Sequence, residues 1–297
     1  MPLRGRLAPT PTGFLHVGHA RTFATAAARA GAAGLVLRIE DLDRPRCREE
    51  FCRAALDDLR WLGLDWTEGP DRGGPHGPYR QSERTAWYLE IWRRLEQARV
   101  IYPSPHSRRD VEEAANAPHD PVPGTAAGVA AGDHAGAPTG ESDAEPIFPT
   151  QLRPAAWDRA SAPGGVAWRF RVPDGRVLEF DDAIAGRVRR TAGVDFGDFV
   201  VWRRDDLAAY ELAVVADDHA MEIAEVVRGE DLLTSTARQL LLYEVLGWAA
   251  PAFGHVPLVR DAEGRRLAKR TGGLAIRDLR ARGLSPTEVL AAGAQPA

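Results

Sequence analysis

The first forty residues limit the fold more than any other stretch. Residues 3–8 are short and apolar enough for a strand. P-T-P-T-G-F-L-H-V-G-H (9–19) is a Pro/Gly-rich turn, Ala20 to Ala30 is alanine-rich, and L-V-L-R-I-E (35–40) reads as a buried strand. Alanine is the strongest helix former, and Gly31 and Gly34 supply a stop. Strand–turn–helix–strand is the opening of a parallel α/β sheet. The turn ends in H-V-G-H (16–19), where such sheets bind phosphates, because helix N-terminal amides and the helix dipole favour anions. His16 and His19 can donate to phosphate oxygens, and Gly18 lets a nucleotide approach the backbone.

Further along, Phe51, Ala55, Leu59 and Leu62 fall on one helical face. Trp87, Ile91, Leu95 and Ala98 do the same on a helix that Ser82 can cap. Residues 114–146 have no aromatic residue and no hydrophobic period. They read as a flexible loop with little to bury against its ordering entropy. A β region follows: V-A-W-R-F-R-V, the turn P-D-G, then R-V-L-E-F. The sheet is expected to resume at F-V-V-W-R (199–203) and Y-E-L-A-V-V (210–215), before a helix from about Ser235 to Gly247. S-P-T-E (285–288) is a capping-box helix start.

A chain of 297 residues suggests two domains, or one large domain with an insertion. No apolar run approaches the ~20 residues of a membrane helix, and the N-terminus lacks a signal-peptide core. Cys47 and Cys52 are the only cysteines, neither a metal spacing nor a disulfide framework. A cytoplasmic, monomeric enzyme is the expectation. The net charge of −4 does not advertise a nucleic-acid partner. Residues 260–282, however, carry eight basic and three acidic side chains, and a local patch can bind where the whole does not.

Within that basic stretch, R-L-A-K-R-T (266–271) holds the single lysine among 38 lysine and arginine residues. Arg is a planar fork, whereas Lys is a compact, flexible point charge that can reach a phosphate oxygen. Lys269 therefore points to a polyphosphate, with H-V-G-H as the partner element.

Together these stretches resemble the glutamyl branch of the class I aminoacyl-tRNA synthetases. R-L-A-P-T-P-T-G-F-L-H-V-G-H-A-R-T is similar to its first signature, L-R-I-E-D-L-D-R-P-R to its next, and D-D-H (217–219) with V-V-R-G-E-D-L-L-T-S-T (226–236) to the stretch before the catalytic helix. R-L-A-K-R is similar to the lysine-containing phosphate loop. The resemblance implies a Rossmann-type parallel sheet with an inserted small α+β region and a short C-terminal helical segment. The corresponding boundaries are 1–100 and 191–255 for the two halves of the core, 101–190 for the insertion and 256–297 for the lysine loop and last helices, without an anticodon-binding domain. It also implies that ATP and L-glutamate form glutamyl-adenylate, with Mg²⁺, before the glutamyl group passes to RNA. His16, His19 and Lys269 would stabilise the phosphates, with Gly18 beside them. Arg6 would hold the side-chain carboxylate, Glu40 the ammonium with Thr10 beside it, and Tyr210 and Arg228 would complete the glutamate site.

The chain stops soon after Lys269, as do the paralogues that attach glutamate to queuosine in the tRNA(Asp) anticodon. The resemblance therefore implies the anticodon stem-loop of tRNA(Asp) as partner. A glutamyl-tRNA synthetase fragment or subunit, and a non-enzymatic regulatory protein on the same fold, are the alternatives. Ser104, His106, Phe148 and Leu152 stand at the family's zinc-ligand positions. Since zinc needs about four good ligands, no zinc is expected there; His119 and His134 are the other histidines of the insertion.

Overall fold

A computed structural model describes residues 3–31, 34–115, 146–259 and 275–294. Strands β1 (Gly5–Leu7) and β2 (Leu35–Leu37) pair in parallel, with Gly5 opposite Leu35. Helix α1 (Val17–Ala30) makes the crossover between them. It buries Val17, Ala20, Phe23, Ala26 and Ala30, the three-to-four spacing of one helical face. Gly31 ends it at φ 58°, a left-handed backbone that costs glycine least.

On the other side of β1 lies β8 (Glu225–Gly229), which pairs in parallel with β9 (Ala252–Val256). The Ala224 amide donates to the Arg4 carbonyl, and an Arg6 guanidinium nitrogen reaches the Val227 carbonyl, so β8 runs the same way as β1. From β1 the chain winds outward to β2, and from β8 outward to β9. The winding reverses between β1 and β8, where open α/β sheets bind ligands.

Helices α2 (Glu49–Trp61) and α3 (Thr85–Gln97) form where the apolar spacing predicts them. Ser82 does not cap α3. Arg84 holds that position, and Ser82 sits in a 3-10 turn donating its amide and hydroxyl to the Asp41 carboxylate at 2.8 and 2.7 Å. Next along the chain come β3 (Ile101–Ser104), the short helix α4 (Arg108–Ala115), β4 (Ala167–Phe170), β5 (Val177–Asp182) and β6 (Gly186–Thr191). The two strands around P-D-G do not form a hairpin together. β4 joins an antiparallel sheet with β3 and β7 (Phe199–Trp202), while β5 pairs with β6. Most of the expected loop 114–146 lies outside the described residues, and α4 covers its first two positions.

Tyr210–Val215 is not a strand. It opens helix α5 (Tyr210–Ala220), whose residues Glu211 to Asp218 are all buried. A helix covered on every side shows an unbroken apolar run, which periodicity cannot separate from a buried strand. Helix α6 (Leu233–Leu246) closes on Gly247 at φ 70°. The short helix α7 (Ile276–Ala281) and α8 (Pro286–Ala294) complete the described chain. Ser285 and Glu288 exchange the expected capping-box hydrogen bonds.

One hydrophobic core joins α3, the antiparallel sheet, α5 and α6, with Trp92 and Trp168 edge to face at 4.9 Å. Each fully buried Phe within it, such as Phe170 or Phe199, contributes about 1.5–3 kcal/mol. Residues of the 101–190 stretch, among them Ile101, Trp168 and Leu178, thus pack into this core. A second cluster joins β1, β2, α1, α2, α7 and α8. No described helix is long and apolar enough to cross a membrane.

Candidate active site

At the reversal between β1 and β8 opens a cavity of about 370 Å³. Every expected site residue within the described chain lines it. Arg6 and Thr10 come from β1 and its turn, His16, Gly18 and His19 from the start of α1. Glu40 follows β2, Tyr210 opens α5, and Arg228 comes from β8. Lys269 lies outside the described residues. The chain before it runs through Val259 on the cavity wall and resumes at Ala275, which bridges His16.

His16 is the N-cap of α1. Its Nδ1 accepts from the Gly18 amide at 3.1 Å, while His19 Nδ1 accepts from the His16 amide at 3.1 Å. This is a capping box built from two imidazoles. A neutral ring that accepts at Nδ1 carries its hydrogen on Nε2, so the box makes both rings Nε2–H donors. Their centroids lie 3.8 Å apart. A Cβ on residue 18 would sit 3.0 Å from His16 Cε1, which is why a glycine stands between them. The helix dipole adds positive potential at the same spot.

Deeper in, charge is concentrated. Arg38, fully buried, donates to Asp218 at 2.6 Å and to Glu40 at 2.9 Å. Burial works against its charge, but Asp218, Glu40 and Asp217 outweigh burial and hold its pKa well above the ordinary value. Asp217 accepts from Gln81, Arg84 and Tyr88. Arg6 donates to the Val227 carbonyl at 2.8 Å; its Nε, 3.7 Å from Asp218, has no hydrogen-bond partner among the described residues. Burial pulls the Arg6 pKa down, opposed by Asp218 and Glu40 and reinforced by Arg38 and Arg228; burial pushes the Glu40 pKa up against the pull of Arg38 and Arg6.

Arg228 is held differently. Its partners are Tyr210 Oη at 3.3 Å, Thr236 Oγ1 at 2.6 Å, Gln239 Oε1 at 2.7 Å and His255 Nε2 at 3.2 Å. All four are uncharged acceptors, and among the described residues no carboxylate lies within ion-pair distance. A buried guanidinium without a counter-ion is costly, so the cavity is suited to an anionic ligand. Tyr210 is 36% exposed, but its hydroxyl sits on the cavity wall, where desolvation pushes it up to about 12 against the pull of Arg228 and keeps it neutral.

The family model for tRNA synthetases class I (E and Q), catalytic domain, matches residues 2–117 and 150–293. The chain belongs to this family. It is 46% identical to the glutamyl-Q tRNA(Asp) synthetase of Symbiobacterium thermophilum, across 97% of this chain and 84% of that protein. It is 42% identical to the protein of the same name from Nitratidesulfovibrio vulgaris, with the same coverage. Glutamate–tRNA ligase 2 of Acidithiobacillus ferrooxidans is 41% identical, but the chain spans 55% of its length. Among solved structures, a glutamate tRNA ligase from Elizabethkingia meningosepticum in complex with its amino acid aligns with a TM-score of 0.69 at 28% identity, over 96% of this chain and 54% of that one.

Two buried residues beside the site, Arg38 and His255, were not singled out from the sequence. Arg38 interrupts an apolar strand, L-V-L-R-I, and His255 interrupts A-F-G-H-V. A polar side chain in such a run must find partners inside, which is a signal in itself. Which partners it finds depends on elements far apart in sequence: Arg38 meets Asp218, 180 residues away on α5, and His255 meets Asp182, 73 residues away at the end of β5.

The zinc-ligand positions do not fit a metal. Phe148 is buried in a small apolar cluster with Tyr102 and Val111, against which Leu152 packs, and the Arg169 guanidinium lies 4.3 Å from the Phe148 ring centroid. Ser104 is buried at the end of β3. Only His106 of the four is a good zinc donor. His119 and His134 lie outside the described residues.

Proposed function

We propose that this chain uses ATP to activate L-glutamate as glutamyl-adenylate and passes the glutamyl group to queuosine in the anticodon of tRNA(Asp). The observation that carries the amino-acid half is Arg228, a buried guanidinium held by neutral partners only and facing the cavity. With Arg6 and Glu40 it makes a site for a ligand with two carboxylates and one ammonium. Arg6 takes the side-chain carboxylate, Glu40 the ammonium with Thr10 beside it, and Tyr210 and Arg228 complete the pocket.

In the chemical step an oxygen of the glutamate α-carboxylate attacks the α-phosphorus of ATP. The bond from that phosphorus to the bridging oxygen breaks, and pyrophosphate leaves with the electron pair. The Nε2–H groups of His16 and His19 donate to the phosphates, where fixed donors stabilise developing charge without reorganising. Lys269 serves the departing pyrophosphate; the ends of its segment adjoin the cavity at Val259 and at Ala275. Mg²⁺ bound with the ATP would share that charge on the phosphate oxygens.

The names and near-complete coverage of the two most identical relatives above support queuosine as acceptor. The similarity to glutamate–tRNA ligases supports a second reading, charging of a tRNA 3′ end. Glutamate-dependent pyrophosphate exchange without tRNA tests the first half. Mass spectrometry of tRNA(Asp) from cells with and without the gene tests the second. Glutamyl-queuosine should disappear with the gene; loss of aminoacyl 3′ ends instead would favour the ligase reading.

A further inference from the structure

Arg228 is oriented by a buried pair contributed by β9 and the β5–β6 hairpin. His255 is 1% exposed and lies between the two. Its Nδ1 is 2.6 Å from Asp182 Oδ2, and its Nε2 is 3.2 Å from Arg228 Nε and 3.0 Å from Thr236 Oγ1. An arginine Nε can only donate, so His255 Nε2 accepts and its hydrogen sits on Nδ1, given to Asp182. Asp182 is itself locked. Its Oδ1 accepts from the amides of Ile184, Ala185 and His255 at 3.0, 2.7 and 3.0 Å. Burial works to raise the Asp182 pKa, but these donors hold it below the ordinary range, and burial lowers that of His255. Both keep the pair as carboxylate and neutral imidazole.

We propose that Asp182 and His255 are positioning residues: Asp182 sets the His255 tautomer, and His255 sets the angle at which Arg228 presents its guanidinium to the substrate carboxylate. This rests on the reading of the cavity as a glutamate site. It assigns a function to the hairpin: its Asp182 is the fixed end of the chain Asp182–His255–Arg228. Gln239 braces the opposite side, accepting from Arg228 and donating to Glu211 at 2.8 Å. The guanidinium thus has a support on each edge and its remaining face toward the cavity.

The test is steady-state pyrophosphate exchange, varying glutamate and ATP separately, for wild type, His255→Leu, His255→Gln and Asp182→Asn. His255→Leu removes the acceptor, and an unmade hydrogen bond to a charged group costs about a factor of 10 or more. The glutamate KM should rise about that much while the ATP KM stays within about twofold. His255→Gln, whose Oε1 can accept from Arg228, should recover most of the loss. Asp182→Asn can donate to His255 Nδ1 and turn the Nε2 hydrogen toward Arg228, so it should raise the glutamate KM while the ATP KM stays within about twofold. Equal rises in both KM values, or no rise, would overturn the positioning role. Wild-type protein inactive with glutamate would instead sink the glutamate reading itself.

Discussion

Gly18→Ala should separate activity from stability. The new Cβ would lie 3.0 Å from His16 Cε1 and 3.1 Å from its Nδ1, where ordinary contact begins at 3.4 Å. The imidazole must retreat by a few tenths of an ångström or rotate, and its 3.1 Å bond from the residue 18 amide weakens. Losing an N-cap costs about 1 kcal/mol. Exchanging glycine for alanine within a helix returns roughly 0.5–1 kcal/mol. The two nearly cancel, so the melting temperature should stay within about 4 °C of wild type. The chemistry has no such compensation. Misplacing a group by about 1 Å costs on the order of 100-fold, and the smaller displacement here should slow glutamate-dependent pyrophosphate exchange about 10- to 100-fold. Exchange rate and thermal unfolding are measured on the same preparation. Exchange at the wild-type rate would refute the reasoning, because the His16 ring would then not need its place. A melting temperature lowered by more than 10 °C would mean that the fold had failed before the site did.

Lys269→Ala should slow single-turnover adenylate formation about 100-fold or more with little change in glutamate binding, since a residue serving the leaving group acts mainly in the transition state. Lys269→Arg should restore it only in part, because the wider fork cannot take the same position; full restoration would make the lone lysine an accident of composition. Asp58, buried on α2 opposite Arg277 and Arg280, has its carboxyl pushed up to about 6 by burial, against the pull of those arginines. The native state then holds a proton that the unfolded chain releases near pH 4, so stability falls as pH rises from about 4 to 6. Asp58→Asn should flatten that slope and be about 1–2 kcal/mol more stable at pH 7.5, and urea melts at pH 4.5 and 7.5 that run parallel for both proteins would count against it. Elemental analysis should find no zinc in the purified protein, and one zinc per chain would mean that donors other than Ser104, His106, Phe148 and Leu152 are recruited.

Some of this was legible along the chain because its cause is local. The crossover β1–α1–β2 follows from apolar strands on either side of an alanine-rich helix with a glycine stop. The S-P-T-E start of α8 is a hydrogen-bond pattern closed within four residues. H-V-G-H stands out along the chain for the same reason, since His16, Gly18 and His19 satisfy one another across a single turn at the start of α1. The motifs also named Arg6, Glu40, Tyr210 and Arg228, and these meet in one cavity.

Where long-range packing decides, the chain alone misled or was silent. Tyr210–Val215 reads as a strand and folds as a helix, because burial on every side erases the period that distinguishes the two. The strands flanking P-D-G look like a hairpin but pair elsewhere, since register is decided by which sheet covers each apolar face. Ser82 looks like a cap and instead serves Asp41, 41 residues upstream. The partners of Arg38 and Arg228 are also distant: Arg38 meets Asp218 from α5, and Arg228 meets His255 from β9. Local sequence marks a buried charge as needing a partner, because an unpaired one is too costly to bury. Only the closed fold determines which side chain answers it, because that depends on distances between strands and helices that lie far apart along the chain.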